Sequence, residues 1–264
     1  MERTKYLLTL FLALCCPMLY GSLYGSFNGS FNGLLYGLLY GEEHPDIYRA
    51  YISGDMALWS ETLNRLEAIR PQGRDQQIQL IDYHYGYIGW CLSQKRDEEA
   101  KVHLKRAKSL LKPLEQAGFR LPLLFAYKAA FAGFEIGLSP IKAPLIGPQS
   151  IAWAKKSVAL DSTLAMGYLQ LGNIAYYAPK IFGGSPSEGI KQYEKALRII
   201  EKSPEQRKQR WHHLHILETL INASLTEKET EKAERYIRMI ERIEPQFNWE
   251  QHNLYLQAKK LMIL

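Results

Sequence analysis

Cysteine is scarce in this sequence, and its placement removes whole classes of function. Of the three cysteines, Cys15 and Cys16 fall in an apolar run near the N-terminus, which leaves Cys91 alone in the body of the chain. A disulfide framework and a multi-cysteine metal site are therefore both excluded there, and Cys91, on an apolar helical stretch, is expected to pack as a small hydrophobe. Sustained apolar/polar alternation is missing too, so strands are not expected. Phe182-Gly183-Gly184-Ser185 lacks the Lys-Ser/Thr that a phosphate loop needs, and no G-x-S-x-G elbow occurs. Nothing here points to an enzyme, and no cofactor is expected.

A basic stripe is also absent. The net charge of +6 is spread over mixed-sign helical segments, and a hydrophobic fraction of 47% suits a folded protein. The densest basic stretch, residues 191–210, is diluted by Glu188, Glu194, Glu201 and Glu205 and reads as a solvated helix face rather than a nucleic-acid contact.

What is present begins with a leader. Arg3 and Lys5 precede an apolar run ending at Pro17, the layout of a secretory signal peptide, assigned to residues 1–21. Export follows from it. Leu14 stands before Cys15, where a lipoprotein signal wants a small residue, so lipidation of Cys15 or Cys16 is poorly supported. Residues 22–41 form a tract of tetrapeptides with glycine at 25, 29, 33, 37 and 41. Glycine at that spacing disfavours helix in water, and the tract reads as an expansion removed with or just after the leader. Membrane association is expected only through this N-terminal segment where it is retained.

From residue 42 to 264 the punctuation is all-helical, with apolar residues three and four apart. Helices are expected over 45–52 and 56–69, 75–93 and 97–114, 121–138 and 148–160, 205–224 and 227–243, around a central pair within 168–197. Residues 246–264 read as a terminal helix.

The central pair carries a resemblance. Tyr168, Leu171, Gly172, Ala175 and Tyr176 on its first helix, then Gly189, Tyr193, Ala196 and Leu197 on its second, resemble one tetratricopeptide (TPR) repeat. Ala100, Leu104 and Ala107, and Ala233 with Ile237, repeat the small–large–small spacing. The resemblance implies an all-α, right-handed α-solenoid of antiparallel helix pairs with a C-terminal capping helix. Two departures from it are the long connection 139–147 and an insertion of about five residues holding Pro179, Gly183 and Gly184. The P-x-x-x-G-G insertion also resembles the TatT family, periplasmic TPR-like proteins that accompany the solute-binding components of TRAP transporters.

In TPR proteins the first helices of successive pairs line a concave groove. That phase makes Tyr83, Tyr87, Trp90, Phe125, Lys128, Phe131, Asn173 and Tyr176 groove candidates, with Tyr177 and Phe182 at the rim. The family commonly uses an Asn at the position of Asn173 to grip a peptide backbone. Aromatics at helical spacing also build cores, so about half of these are expected to be buried. His212, His213 and His215 are the best metal candidates, and His212 and His215 share a helix face with Glu218 one turn on, but a single row is poor for a tetrahedral ion, so these are read as surface and groove histidines and no metal site is expected. His84 is read as a half-buried structural residue. The expectation is an exported, non-enzymatic binding module of the periplasm or cell envelope, with a protein or peptide partner. The alternative is a TatT-like partner of a periplasmic solute-binding protein that holds a hydrophobic small molecule.

Overall fold

The computed structural model describes residues 43–69 and 73–252. The expected leader, the glycine tract and the last part of the terminal helix lie outside the described residues. Ten α-helices and no strand occur among the described residues: α1 (Pro45–Ser53), α2 (Met56–Ala68), α3 (Arg74–Ser93), α4 (Asp97–Gln116), α5 (Leu121–Leu138), α6 (Ala143–Leu160), α7 (Ala165–Tyr177), α8 (Pro186–Lys202), α9 (Arg210–Thr226) and α10 (Thr230–Ile243). They pack most closely as neighbouring pairs, each odd-numbered helix against the next, joined by short turns.

Local chemistry sets the boundaries. Pro45 opens α1, where its missing N–H costs nothing, and the His44 ring accepts from the Asp46 amide. Gly54 closes α1 at φ 72° and hands the chain to Asp55, which caps α2 by accepting from the Leu58 amide at 3.0 Å. Ser185 caps α8 in the same way, with Pro186 in the first turn. The expected starts move most at two helices: α9 begins at Arg210, after the 3₁₀ segment Gln206–Lys208, not at residue 205, and α6 begins at Ala143, not at residue 148. Pro144 sits in its first turn, where no N–H bond is lost, and Pro148 is absorbed one turn later.

The small positions read from the sequence bring helices together. A Cβ on Gly172 would overlap the Tyr193 ring and lie 3.1 Å from the Gly189 carbonyl, while one on Gly189 would lie 3.0 Å from the Gly172 carbonyl. The backbones of α7 and α8 therefore touch at these two glycines. Ala100, Ala107, Ala196 and Ala233 are fully buried or nearly so. α5 is long and apolar enough to cross a membrane by length and composition, yet its Leu124, Phe125, Tyr127 and Phe131 are buried against protein.

The last helices reach back to the first. Trp211 of α9 packs edge-on to Trp59 of α2 at 5.3 Å, and Gly86 of α3 makes room, since a Cβ there would sit 2.8 Å from Trp59. The Glu43 carboxylate accepts from the Trp211 amide at 2.8 Å and pairs with Arg210. Burial lifts the Glu43 pKa to about 7. The described part of the expected terminal helix is a turn and a 3₁₀ segment, Trp249–His252, that lies on α1: the Asn248 amide donates to the Ile52 carbonyl, and His252 bonds both the Tyr51 carbonyl and Glu218.

Candidate ligand site

Gln170, Asn173 and Tyr177 occupy positions i, i+3 and i+7 of α7, one stripe of a helix. That stripe organises a polar string between three helices. The Tyr193 hydroxyl of α8 donates to Asn173 Oδ1 at 2.9 Å, Asn173 Nδ2 donates to Gln170 Oε1 at 3.1 Å, and Gln170 Nε2 donates to the Tyr85 hydroxyl of α3 at 3.3 Å. The carboxamide expected to grip a peptide is thus engaged inside the fold.

Rings surround the string. Tyr85 stacks on Phe134 of α5 at 5.6 Å and 23°, and His215 of α9 meets it edge-on at 6.2 Å. Tyr176 lies against Tyr177 at 5.0 Å and Tyr193 at 6.1 Å. Burial pushes the Tyr85 phenol up to about 12 and the Tyr193 phenol higher still, so both hydroxyls stay neutral. Tyr177 is 74% exposed and opens the cluster to solvent, while Asn173, Tyr176, Phe134 and His215 are part-buried.

Two polar groups of the cluster are left over. The Tyr176 hydroxyl is buried and has no hydrogen-bond partner among the described residues. No described residue hydrogen-bonds the His215 ring, and burial holds its pKa down at about 4, so a neutral imidazole stands among Tyr85 and Trp211.

The remaining candidates fall elsewhere. Tyr83 is fully buried, and its hydroxyl accepts from the His44 amide at 2.9 Å. Tyr87 and Trp90 line an open hollow of about 710 Å³ with Met56, Asn64 and Arg96, whose guanidinium lies over Trp90 at 5.0 Å. Lys128 and the buried Phe131 line a smaller, more enclosed one of about 200 Å³ beside Trp153. Lys128 pairs with Glu115 at 2.7 Å, and buried Phe125 lies under Lys156. Phe182 is exposed on the insertion.

Tyr85, Phe134 and Gln170 were not among the expected site residues, and His215 was read only as a surface or groove histidine. Gln170 shares the stripe of Asn173 and could have been found from it; the others come from helices whose approach the sequence does not state. The histidines are less exposed than expected: His212 donates to buried Asp82, His84 is fully buried, and Glu218 is taken by Tyr51 and His252.

No family model matches this chain, and no curated protein does. Among solved structures, the HusA haemophore from Porphyromonas gingivalis superposes with a TM-score of 0.51 at 16% identity, over 64% of this chain and 82% of that one. The likeness is one of fold. It supports a helical-repeat-like architecture for this chain.

Proposed function

We propose that this chain is an exported, non-enzymatic binding protein on a TPR-type solenoid, and that the tyrosine cluster around Asn173 takes a flat, mostly apolar ligand. The carrying observation is the buried Tyr176 hydroxyl without a partner among the described residues, in a part-open aromatic wall that also holds the neutral His215 ring. A neutral imidazole and a phenol are two of the side chains that hold haem iron, and stacked rings suit a porphyrin plane. The haemophore of similar fold makes haem the first ligand to test, as cargo. Export rests on the leader pattern, and the lack of an enzyme on the absence of catalytic motifs.

The test is an absorbance titration of the full chain with haem and with the iron-free porphyrin. A saturable Soret shift is expected, weakened about tenfold or more in His215→Ala with Tyr176→Phe. A loss of affinity for haem alone would place the iron on one of these side chains, and an equal loss for both porphyrins would leave stacking as the attraction. Unchanged affinity in the double variant sinks the reading.

A peptide partner is the second reading, favoured by the open hollow at Tyr87 and Trp90 with Asn64 and Arg96 on its walls. Its test is Trp90→Ala, which would abolish peptide capture while sparing porphyrin binding. The partnership with a solute-binding protein rests on the insertion's resemblance alone.

A further inference from the structure

Two connections put large apolar side chains into water at one edge of the fold. After α5 the chain passes through Pro140–Lys142, leaving Ile141 88% exposed and, just beyond, Leu145 82% exposed. After α7 it passes through Lys180–Phe182, leaving Ile181 85% and Phe182 57% exposed. α6 returns between α5 and α7 and packs on both, so α5 and α7 run in the same direction and both connections leave from the same edge.

Neither connection is loosely held. The Lys142 amide donates to the Ser139 carbonyl at 2.9 Å, the Gly184 amide to Pro179 at 3.2 Å and the Ser185 amide to Ala175 at 2.7 Å. Gly183 sits at φ +85°, and Gly184 lies so close to the Ala178 carbonyl that any Cβ would overlap it. Proline at 140, 144 and 179 stiffens the backbone further. The four side chains are therefore held out by ordered backbone, and little conformational entropy remains to be lost on docking.

The charge on the two connections themselves has one sign. Between residues 136 and 187 the chain holds a single acidic residue, Asp161, in the turn between α6 and α7 at the opposite edge. Lys142 and Lys180 stand inside the two apolar turns, and neither forms an ion pair among the described residues. Glu135 is held by Lys108, and Glu188 by Lys191 and Gln192.

We propose that this edge docks on the surface of an anionic lipid bilayer, with Ile141, Leu145, Ile181 and Phe182 entering the headgroup boundary and Lys142 and Lys180 meeting phosphates. Apolar tips ringed by unpaired cations fit that surface. A second copy pressed on the same two connections fits poorly, because it would bring lysines to lysines. The inference uses none of the side chains of the ligand cluster and goes beyond the expectation that only the N-terminal segment meets a membrane.

The test is hydrogen exchange of the full chain with phosphatidylcholine vesicles, alone or mixed with phosphatidylglycerol. Slower exchange is expected in segments 141–147 and 180–185 on the mixed vesicles, and the affinity should favour them about 30-fold over neutral ones, from two interfacial lysines. Lys142→Glu with Lys180→Glu should remove that preference, and serine at Ile141, Leu145, Ile181 and Phe182 should remove the protection with helical content unchanged. Three results overturn the proposal. The chain could bind vesicles while both segments exchange as in solution. The serine variant could keep its protection. The segments could be protected by raising protein concentration without lipid, the mark of a second copy.

Discussion

Asp82 and His212 stand 130 residues apart in the chain, and the histidine Nε2 donates to the aspartate Oδ1 at 2.6 Å. The same carboxylate accepts from the Tyr127 hydroxyl at 2.6 Å and from the Trp211 indole at 3.2 Å. One buried acid on α3 therefore ties α5 to α9 in one polar knot. Two of its donors, Tyr127 and Trp211, are fully buried and have no water to fall back on, which makes the acid costly to remove.

Asp82→Ala is expected to destabilise the fold by about 3 kcal/mol or more, since each buried donor left unpaired costs about 1–3 kcal/mol. The measurement is the urea midpoint at constant m-value. Tyr127→Phe removes one donor and leaves the acid with two, so its loss should be smaller, about 1 kcal/mol. Equal losses in the two variants would show that the knot does not act through the carboxylate.

A pair of glycines tests the close approach of α7 and α8. Gly172→Ala puts a methyl into the Tyr193 ring and beside the Gly189 carbonyl, and should cost about 1–3 kcal/mol. Gly133, inside α5, has no atom within 4 Å of an added Cβ. Gly133→Ala should therefore raise stability by about 0.5–1 kcal/mol through helix propensity. Thermal unfolding of the two variants should move in opposite directions, and a gain in Gly172→Ala would contradict the packing.

How far the sequence could be read follows from where its signals are local. The ends of α5 and the pairing of α7 with α8 were legible, because periodicity, capping residues and the Gly172/Gly189 spacing act within one helix or between neighbours. The start of α6 was misplaced because Pro144 and Pro148 read as breakers, although a first-turn proline loses no bond. The string through Gln170 and Asn173 was half legible: the stripe is on α7, but its outer partners Tyr85 and Tyr193 come from other helices. His212 read as a surface residue because the acid that buries it is 130 positions away. No rule of spacing carries that contact.

The buried imidazoles set the last prediction, a fall of stability in mild acid. His103 is 4% exposed, packs on the Tyr87 ring at 4.7 Å and faces His84, Glu67, Glu99 and Arg106. Burial first, then the neighbouring His84 and Arg106 charges, pull its pKa from 6.5 down to about 4. His215 is pulled to about 4 by burial as well. The unfolded chain takes up these protons near pH 6.5 while the folded protein refuses them until about 4. Stability is therefore full above 6.5 and falls as pH drops from there toward 4. Glu43 works the other way: raised from 4.5 to about 7, it stays protonated in the fold where the unfolded chain ionises, so its contribution is lost as pH rises from 4.5 to 7. Urea midpoints between pH 4 and 7 should thus fall toward acid less steeply in His103→Gln, and more steeply in Glu43→Gln, where the opposing group is gone. Parallel pH profiles for the parent and both variants would mean that neither burial controls the acid limb, and that the surface carboxylates do.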